Sequence, residues 1–311
     1  MDKLGSILVL CSRTAVDRPL LEKAVFLARS AQAEIHLFSC DAALARTLSH
    51  AYPTEVAERA CEISLTEHLA YLRKLRQSVS APDLQISVDA ACRYPLYDGV
   101  AAKLAETPVD LIMKSPSGSH PLRRLTFDAN DWQLLRQSPV SLMLVSGRPW
   151  RAVPQFAAMV DISADPTLRM ADTVLHTSDY LSLACRGELD VIYSETSSDT
   201  GTRSAHAGDL QRLSREHHIQ PGHLHLLDGA PEQTLPAFAA HRQYDAIILG
   251  GLTHKAGLAA LAGTLTSRLV EVLQTDFILV KGDLRQSGRE GSSLRPAPLP
   301  LRHRSEEGEY P

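Results

Sequence analysis

The strongest constraint on this sequence is that it states one pattern twice. Asp110 precedes Leu-Ile-Met as Asp245 precedes Ala-Ile-Ile, 135 positions later, and Leu144-Val145 returns as Leu279-Val280 at the same spacing. Pro95 and Pro231, each opening a helical pattern, lie 136 apart, while at the front Cys11 matches Asp161 with an offset of 150. The second copy is therefore about 15 residues shorter, and the loss falls in its middle helix. This spacing implies tandem duplication of one domain of roughly 140 residues.

Within each copy short apolar runs alternate with helical patterns. In the first, strands are expected at 7–11, 34–40, 84–90, 109–113 and 140–145, with helices near 19–31, 54–79, 94–105 and 130–136. In the second, strands at 156–162, 188–193, 223–227, 246–249 and 277–280 enclose helices at 166–186, 209–217 and 232–242, and a last one opening near Leu265. Asp165 is placed to cap the helix at 166, Pro166 suits its first turn and Gly187 stops it. Strict alternation implies right-handed crossovers and parallel sheets covered on both faces. The fold class is α/β: two tandem five-stranded parallel-sheet sandwiches with helices on both faces. The units are 1–147 and 156–281, joined by a linker at 148–155 in which Trp150 is a candidate for packing between them. The tail 282–311, rich in Pro, Gly, Ser and mixed charge, is expected to be disordered.

Bulk properties exclude several function classes. No apolar run approaches the roughly 20 residues that span a bilayer. The formal charge is −4, and it is uneven: residues 1–149 carry 17 Lys and Arg against 16 Asp and Glu, whereas 150–281 carry 10 against 15. Neither half has the basic surplus that a phosphate backbone demands, so nucleic acid is not an expected partner. Cys11, Cys40, Cys61, Cys92 and Cys185 are scattered, odd in number and without a CxxC pair, which argues for reduced thiols in a cytoplasmic protein. The start lacks a signal-peptide pattern.

The chemistry-bearing stretch runs from 244 to 279. A strand ends at Gly250-Gly251, a loop of small residues follows, and a helix opens after Gly263-Thr264. Free amides and the positive end of the helix dipole converge at such a turn, which suits it to phosphate. An ordinary connection between strand and helix is the competing reading. Glu216-His217-His218 with His223 and His225 invites a metal reading, but no Cys or carboxylate stands at tight ligand spacing and HExxH is absent, so no metal is expected. Asp128 and Asp131 flank a helix start, where carboxylates commonly cap. No GxSxG elbow, P-loop or early GxGxxG is present.

These features together resemble the universal stress protein family. Its nucleotide motif runs Gly, two residues, Gly, nine residues, Gly, then Ser, Thr or Asn. Gly250 takes the first place, Thr253 replaces the second Gly, and Gly263-Thr264 complete it. Asp161 matches the acidic residue that ends the family's first strand and faces adenine. The first half departs from the pattern, with Cys11 at the acidic position and no matching glycines. Its segment Phe127, Asp131-Trp132, Leu134-Leu135-Arg136, Ser138-Pro139-Val140 resembles the first domain of the family's tandem members. The resemblance implies a fold of the adenine nucleotide alpha hydrolase-like, HUP type, and a non-enzymatic, cytoplasmic stress-response protein. It also implies a degenerate adenine-nucleotide site, for ATP or AMP, at Asp161, Ser163, Gly250, Gly251, Gly263, Thr264 and Thr266, with Ser267, His254 or Lys255 in support. The expected partners are one half of the chain for the other, a nucleotide, and a second copy in a homodimer, with no membrane. A weak ATPase, another adenylate-handling enzyme, and a ligand-free interaction module are the alternatives; no Mg²⁺-ligating carboxylate or evident base stands near the loop.

Overall fold

The computed structural model describes residues 3–116, 128–162, 169–250, 269, 273 and 275–282. In chain order the first half contains β1 (Ser6–Cys11), α1 (Asp17–Ala31), β2 (Glu34–Cys40), α2 (Ala42–Ala51), α3 (Thr54–Gln77), β3 (Ile86–Ala91), α4 (Leu96–Glu106), β4 (Leu111–Lys114), α5 (Ala129–Gln137) and β5 (Ser141–Leu144). The second contains β6 (Gln155–Met159), α6 (Arg169–Cys185), β7 (Glu188–Glu195), α7 (Thr200–Glu216), β8 (Leu224–Asp228), α8 (Pro231–Arg242), β9 (Ala246–Gly250) and β10 (Asp276–Val280). The expected alternation is present from β1 to β9, and the helix expected to open near Leu265 lies outside the described residues, as does the tail from 283.

The ten strands lie in one sheet, ordered β3-β2-β1-β4-β5-β10-β9-β6-β7-β8. Each half is parallel and has the same internal order, and the halves meet where β5 pairs antiparallel with β10. Both five-stranded parallel units expected from the sequence are present, and the two join edge to edge into a continuous sheet. The reason is visible in the two joining strands. Every residue of β5 and β10 is buried, so neither can stand as a solvent-facing edge. The pairs Phe277–Leu144, Ile278–Met143 and Leu279–Leu142 are symmetric about Met143–Ile278, because Leu142 and Leu144 stand 135 positions before Phe277 and Leu279. The contact is thus the isologous kind found in twofold dimers, made within one chain. Each face of the sheet carries one core cluster, and each cluster draws on both halves. Helices α1, α3, α6 and α7 cover one face; α4, α5 and α8 cover the other.

Pairing registers correct the front of the repeat. Ile7 pairs with Leu111 and Phe156 with Ala246, so Ile7 matches Phe156 at an offset of 149. The amides of Ser6 and Gln155 both donate, at 3.0 and 2.9 Å, to the aspartates Asp110 and Asp245 that precede β4 and β9. By this register the counterpart of Asp161 is Ser12, not Cys11; Cys11 and Val160 are buried while Ser12 and Asp161 are exposed. Leu37 and Val191 differ by 154, but their partners Val88 and Leu224 by only 136, which locates the deletion between the second and third strands. There α2 has no counterpart, and α7 is 17 residues against 24 for α3.

The join between halves is polar at one end. Asp276 is fully buried and accepts from Lys23 Nζ (2.6 Å), from the Ser146 amide and Oγ (both 2.7 Å) and from Trp150 Nε1 (2.7 Å). Burial pushes the Asp276 carboxyl up, which Lys23 opposes. Trp150 stands edge-on between Phe26 of α1 and Phe156 of β6, with centroids 5.7 and 5.4 Å away, in the bridging role its sequence position suggested.

A second correction concerns the thiols. Cys61 on α3 and Cys92 just beyond β3 form a disulfide with a Cα separation of 5.7 Å. Cys11, Cys40 and Cys185 are free thiols.

Candidate functional site

In an open parallel sheet, ligands gather beyond the carboxyl ends of the strands where the order reverses. The duplicated order gives two such crevices, between β1 and β4 and between β6 and β9. They are built differently.

The crevice of the first half is filled from within. Lys114, the last residue of β4, is buried and pairs with Asp131, which is fully buried in the first turn of α5. Asp131 also takes part in a capping box: its amide donates to Asp128 (2.8 Å) while its own carboxylate accepts from the Asp128 amide (3.0 Å). Burial raises the Asp131 carboxyl and the Lys114 ammonium counters it. The helix start that would otherwise face an anion thus holds two carboxylates of its own, and these residues cap rather than catalyse. Beside it, the loop after β1 is closed by fully buried Asp17. That carboxylate accepts from the amides of Ser12, Arg13 and Thr14 at 3.1, 2.8 and 3.3 Å and from the Tyr71 hydroxyl at 2.8 Å. Burial first, and Asp17 second, push the Tyr71 hydroxyl well above its usual pKa.

The corresponding positions in the second half are Leu249 for Lys114 and Gly250 for Ser115, by the register of β4 and β9. Asp161 is exposed just past β6, and Gly250 ends the neighbouring β9, so the structure brings these two expected residues to one rim. Gly250 has a packing reason of its own. A Cβ there would come within 2.7 Å of Met170 Cγ and 3.0 Å of its Sδ, from α6. Ser163, Gly251, Gly263, Thr264 and Thr266, with Thr253, His254, Lys255, Asp165, Pro166 and Ser267, lie outside the described residues.

Two clusters were not anticipated from sequence. At the carboxyl end of β2, Ser39 Oγ donates to the Cys11 carbonyl (3.1 Å) and lies 2.8 Å from His68 Nδ1; His68 Nε2 is 3.5 Å from Asp41, which also accepts from Ser64 Oγ at 2.7 Å. At the carboxyl end of β7, His206 Nδ1 lies 3.0 Å from the Tyr193 hydroxyl and 2.9 Å from Glu195. The register equates Ser39 with Tyr193 and Asp41 with Glu195, 154 apart. The hydroxyl, imidazole and carboxylate of the first cluster have the composition of a hydrolytic triad. Ser39 is 1% exposed and bonded to backbone, however, so these groups tie helix to strand rather than meet a substrate. The signal in the sequence was the acidic residue at the end of each second strand, with one His on the helix that leads into the third strand.

The histidines singled out in the sequence gather at the opposite end of the sheet. His223 Nδ1 lies 2.8 Å and His225 Nε2 3.2 Å from the two oxygens of Asp190, which also accepts from Tyr244 OH at 2.7 Å. Burial alone would raise the Asp190 carboxyl, but the Tyr244 and His223 hydrogen bonds and the His225 charge outweigh it and hold it below the ordinary range. Among the described residues no group of three or more His, Cys, Asp or Glu is arranged to hold a metal ion. No described helix is long and apolar enough to cross a membrane.

Fold and rim together define a class: a duplicated α/β protein paired through its own fifth strands. No protein-family model matches the chain. Relatives do. The chain is 22% identical to universal stress protein E of Salmonella typhi over 304 residues, 91% of this chain and 96% of that protein. It is 21% identical to universal stress protein E of Escherichia coli K12, at 91% and 95% coverage. A putative universal stress protein from Pseudomonas aeruginosa superposes with a TM-score of 0.69 at 20% identity, covering 90% of this chain and 94% of that one. One from Archaeoglobus fulgidus gives 0.68 at 15%, covering 89% and 98%. The chain is similar to universal stress protein E along nearly its whole length and shares the fold of the solved universal stress proteins.

Proposed function

We propose that this is a non-enzymatic, cytoplasmic stress-response protein of the universal stress protein E type. Its units are 1–147 and 156–281, the linker is 148–155, and only the second unit keeps a degenerate adenine-nucleotide site. The observation that carries this is the contrast between the two crevices. Lys114 and Asp131 occupy one, whereas the other has Leu249 and Gly250 at the same register, with Asp161 exposed beside them. On this reading Asp161 accepts from a base or ribose donor, and the amides following Gly263 take phosphate, of ATP or AMP. Thr253 in place of glycine weakens the site, because a Cβ restricts close backbone approach.

One observation favours a second reading, a ligand-free interaction module: Met170 accounts for Gly250 without any nucleotide. Thermal unfolding with ATP, ADP and AMP separates the two. A ligand at 100 times its Kd adds about 2.7 kcal/mol to stability. The nucleotide site requires a rise in melting temperature that Asp161→Ala removes. Unchanged melting with all three nucleotides at millimolar concentration refutes it and leaves the interaction module.

A further inference from the structure

Helix α3 turns one stripe toward the ends of β2 and β3. Ser64 reaches Asp41, His68 reaches Ser39, and Leu72 and Leu75 enter the core; Cys61, one turn before Ser64, closes the disulfide with Cys92. The second half shows what this position is for. The offset of 136 between β3 and β8 makes Asp228 the counterpart of Cys92. Asp228 accepts from Arg203 of α7 at 2.8 Å, in the half where His206 and Glu195 repeat the His68 and Asp41 tie. Both halves fasten the helix that precedes the third strand to that strand's far end. One fastening is ionic and the other is a sulfur–sulfur bond.

Apart from Arg46 of α2, whose guanidinium lies 5.6 Å from the Tyr94 ring centroid, little else holds the start of this helical segment. Leu48 is the one buried residue of α2, and the first buried residue of α3 is Ser64. Tyr52, Val56 and Ile63 are 53%, 51% and 58% exposed. Cys61 and Cys92 are half-buried, near the outer edge of the sheet. The remaining thiols are poor exchange partners: burial raises Cys11, Cys40 and Cys185, the last to about 11.

We propose that Cys61 and Cys92 are a reversible thiol-oxidation site, taking low-molecular-weight disulfides of the glutathione class, whose oxidation fastens α2 and the first turns of α3 to the sheet. One cysteine thiolate attacks the small disulfide, forming a mixed disulfide and releasing one small thiol. The second cysteine then attacks the protein sulfur, forming the Cys61–Cys92 bond and releasing the other small thiol. The protein is oxidised by two electrons, the small disulfide is reduced by two, and the two protein protons end on the released thiols. In a reducing compartment such bonds are transient and signalling rather than structural.

The test uses the full chain equilibrated with oxidised or reduced glutathione, followed by thiol alkylation with peptide mass mapping and amide hydrogen exchange. Oxidised glutathione is expected to protect Cys61 and Cys92 together from alkylation, and reduced glutathione to restore both. Reduction is expected to speed exchange across 42–63 at least about tenfold, with α6 and α7 unchanged. Cys61→Ser/Cys92→Ser is expected to exchange as fast as the reduced protein in both buffers. The proposal is overturned if both cysteines stay alkylatable in oxidised glutathione, or if the bond survives millimolar reduced glutathione. It is equally overturned if exchange across 42–63 ignores the bond, or if the double serine variant keeps the slow exchange of the oxidised protein.

Discussion

Replacing Asp276 by alanine tests the polar lock between the halves. The carboxylate is fully buried and serves four donors, so its loss leaves the Lys23 ammonium, itself 6% exposed, without its counter-charge. Stripping one partner from a buried pair typically costs about 3–5 kcal/mol. Lys23 keeps the Ser146 and Arg148 carbonyls at 3.2 and 2.8 Å, which lowers that figure, while the Ser146 amide and Trp150 Nε1 lose their acceptor, which raises it. We expect a loss of about 4 kcal/mol in urea unfolding, read from tryptophan fluorescence. In Lys23→Met/Asp276→Leu both charges are gone and apolar volume remains, so that variant should lie within about 1–2 kcal/mol of the parent. The coupling between the sites then exceeds about 2 kcal/mol. A loss below about 1 kcal/mol for Asp276→Ala, or additive single effects, would refute the idea that this pair locks the join.

Other outcomes follow from the same coordinates. Gly250→Ala should cost about 1–3 kcal/mol by forcing Met170 aside, and adding Met170→Ala should remove most of the effect; no relief would mean that the glycine serves something other than packing. Gly187→Ala should cost more, because its Cβ would stand 2.5 Å from the Pro154 carbonyl and 2.7 Å from the Phe156 ring, and rigid backbone yields less than a methionine; equal losses in thermal melts would contradict this. Lys281, which donates to the Leu135 carbonyl, is pushed down to about 8 by burial. Its folded pKa lies below the unfolded value of about 10.4, so the unfolded chain holds the extra proton and stability should rise as pH climbs from 8 to 10. Lys281→Met should flatten that rise in melting temperature. Reducing the Cys61–Cys92 bond, which closes a loop with a sequence separation of 31, should cost about 3–4 kcal/mol by the chain-entropy rule, measurable as a urea midpoint shift that the double serine variant lacks.

Much of this architecture was legible because apolar runs four to eight residues long, bounded by turn residues, leave few readings. What escaped had physical reasons. Helix α2 (AALARTLSHA) is short and buries only Leu48, so it reads as part of the connection between strand and long helix; Asp41, which accepts from the Leu44 amide at 3.0 Å, was the available cue. The first turns of α7 (TGTRSAHAGD) contain two glycines and no large apolar residue, so only its end from Asp209 was read as helical. The join of the halves leaves a trace in composition: after Ser141 and Asp276, β5 and β10 are wholly apolar and every residue is buried, whereas outer strands β3 and β8 are only partly buried. The disulfide pairs residues 31 apart with no short-range spacing, so only the fold could reveal it. At the candidate site, Asp161 and Gly250 were identifiable as rim residues, but Met170 was not, since nothing in sequence says that α6 crosses over β9.

The Met143–Ile278 crossing has a consequence for how such molecules can assemble. Each half spends its fifth strand on its sibling, so the valence through which a lone copy could have recruited a twin is already saturated. Growth of this sheet can proceed only from the flanks, at β3 and β8, and those two borders differ in sequence. Fusion has therefore turned a self-complementary unit into a polar one, with a front and a back that a partner can tell apart.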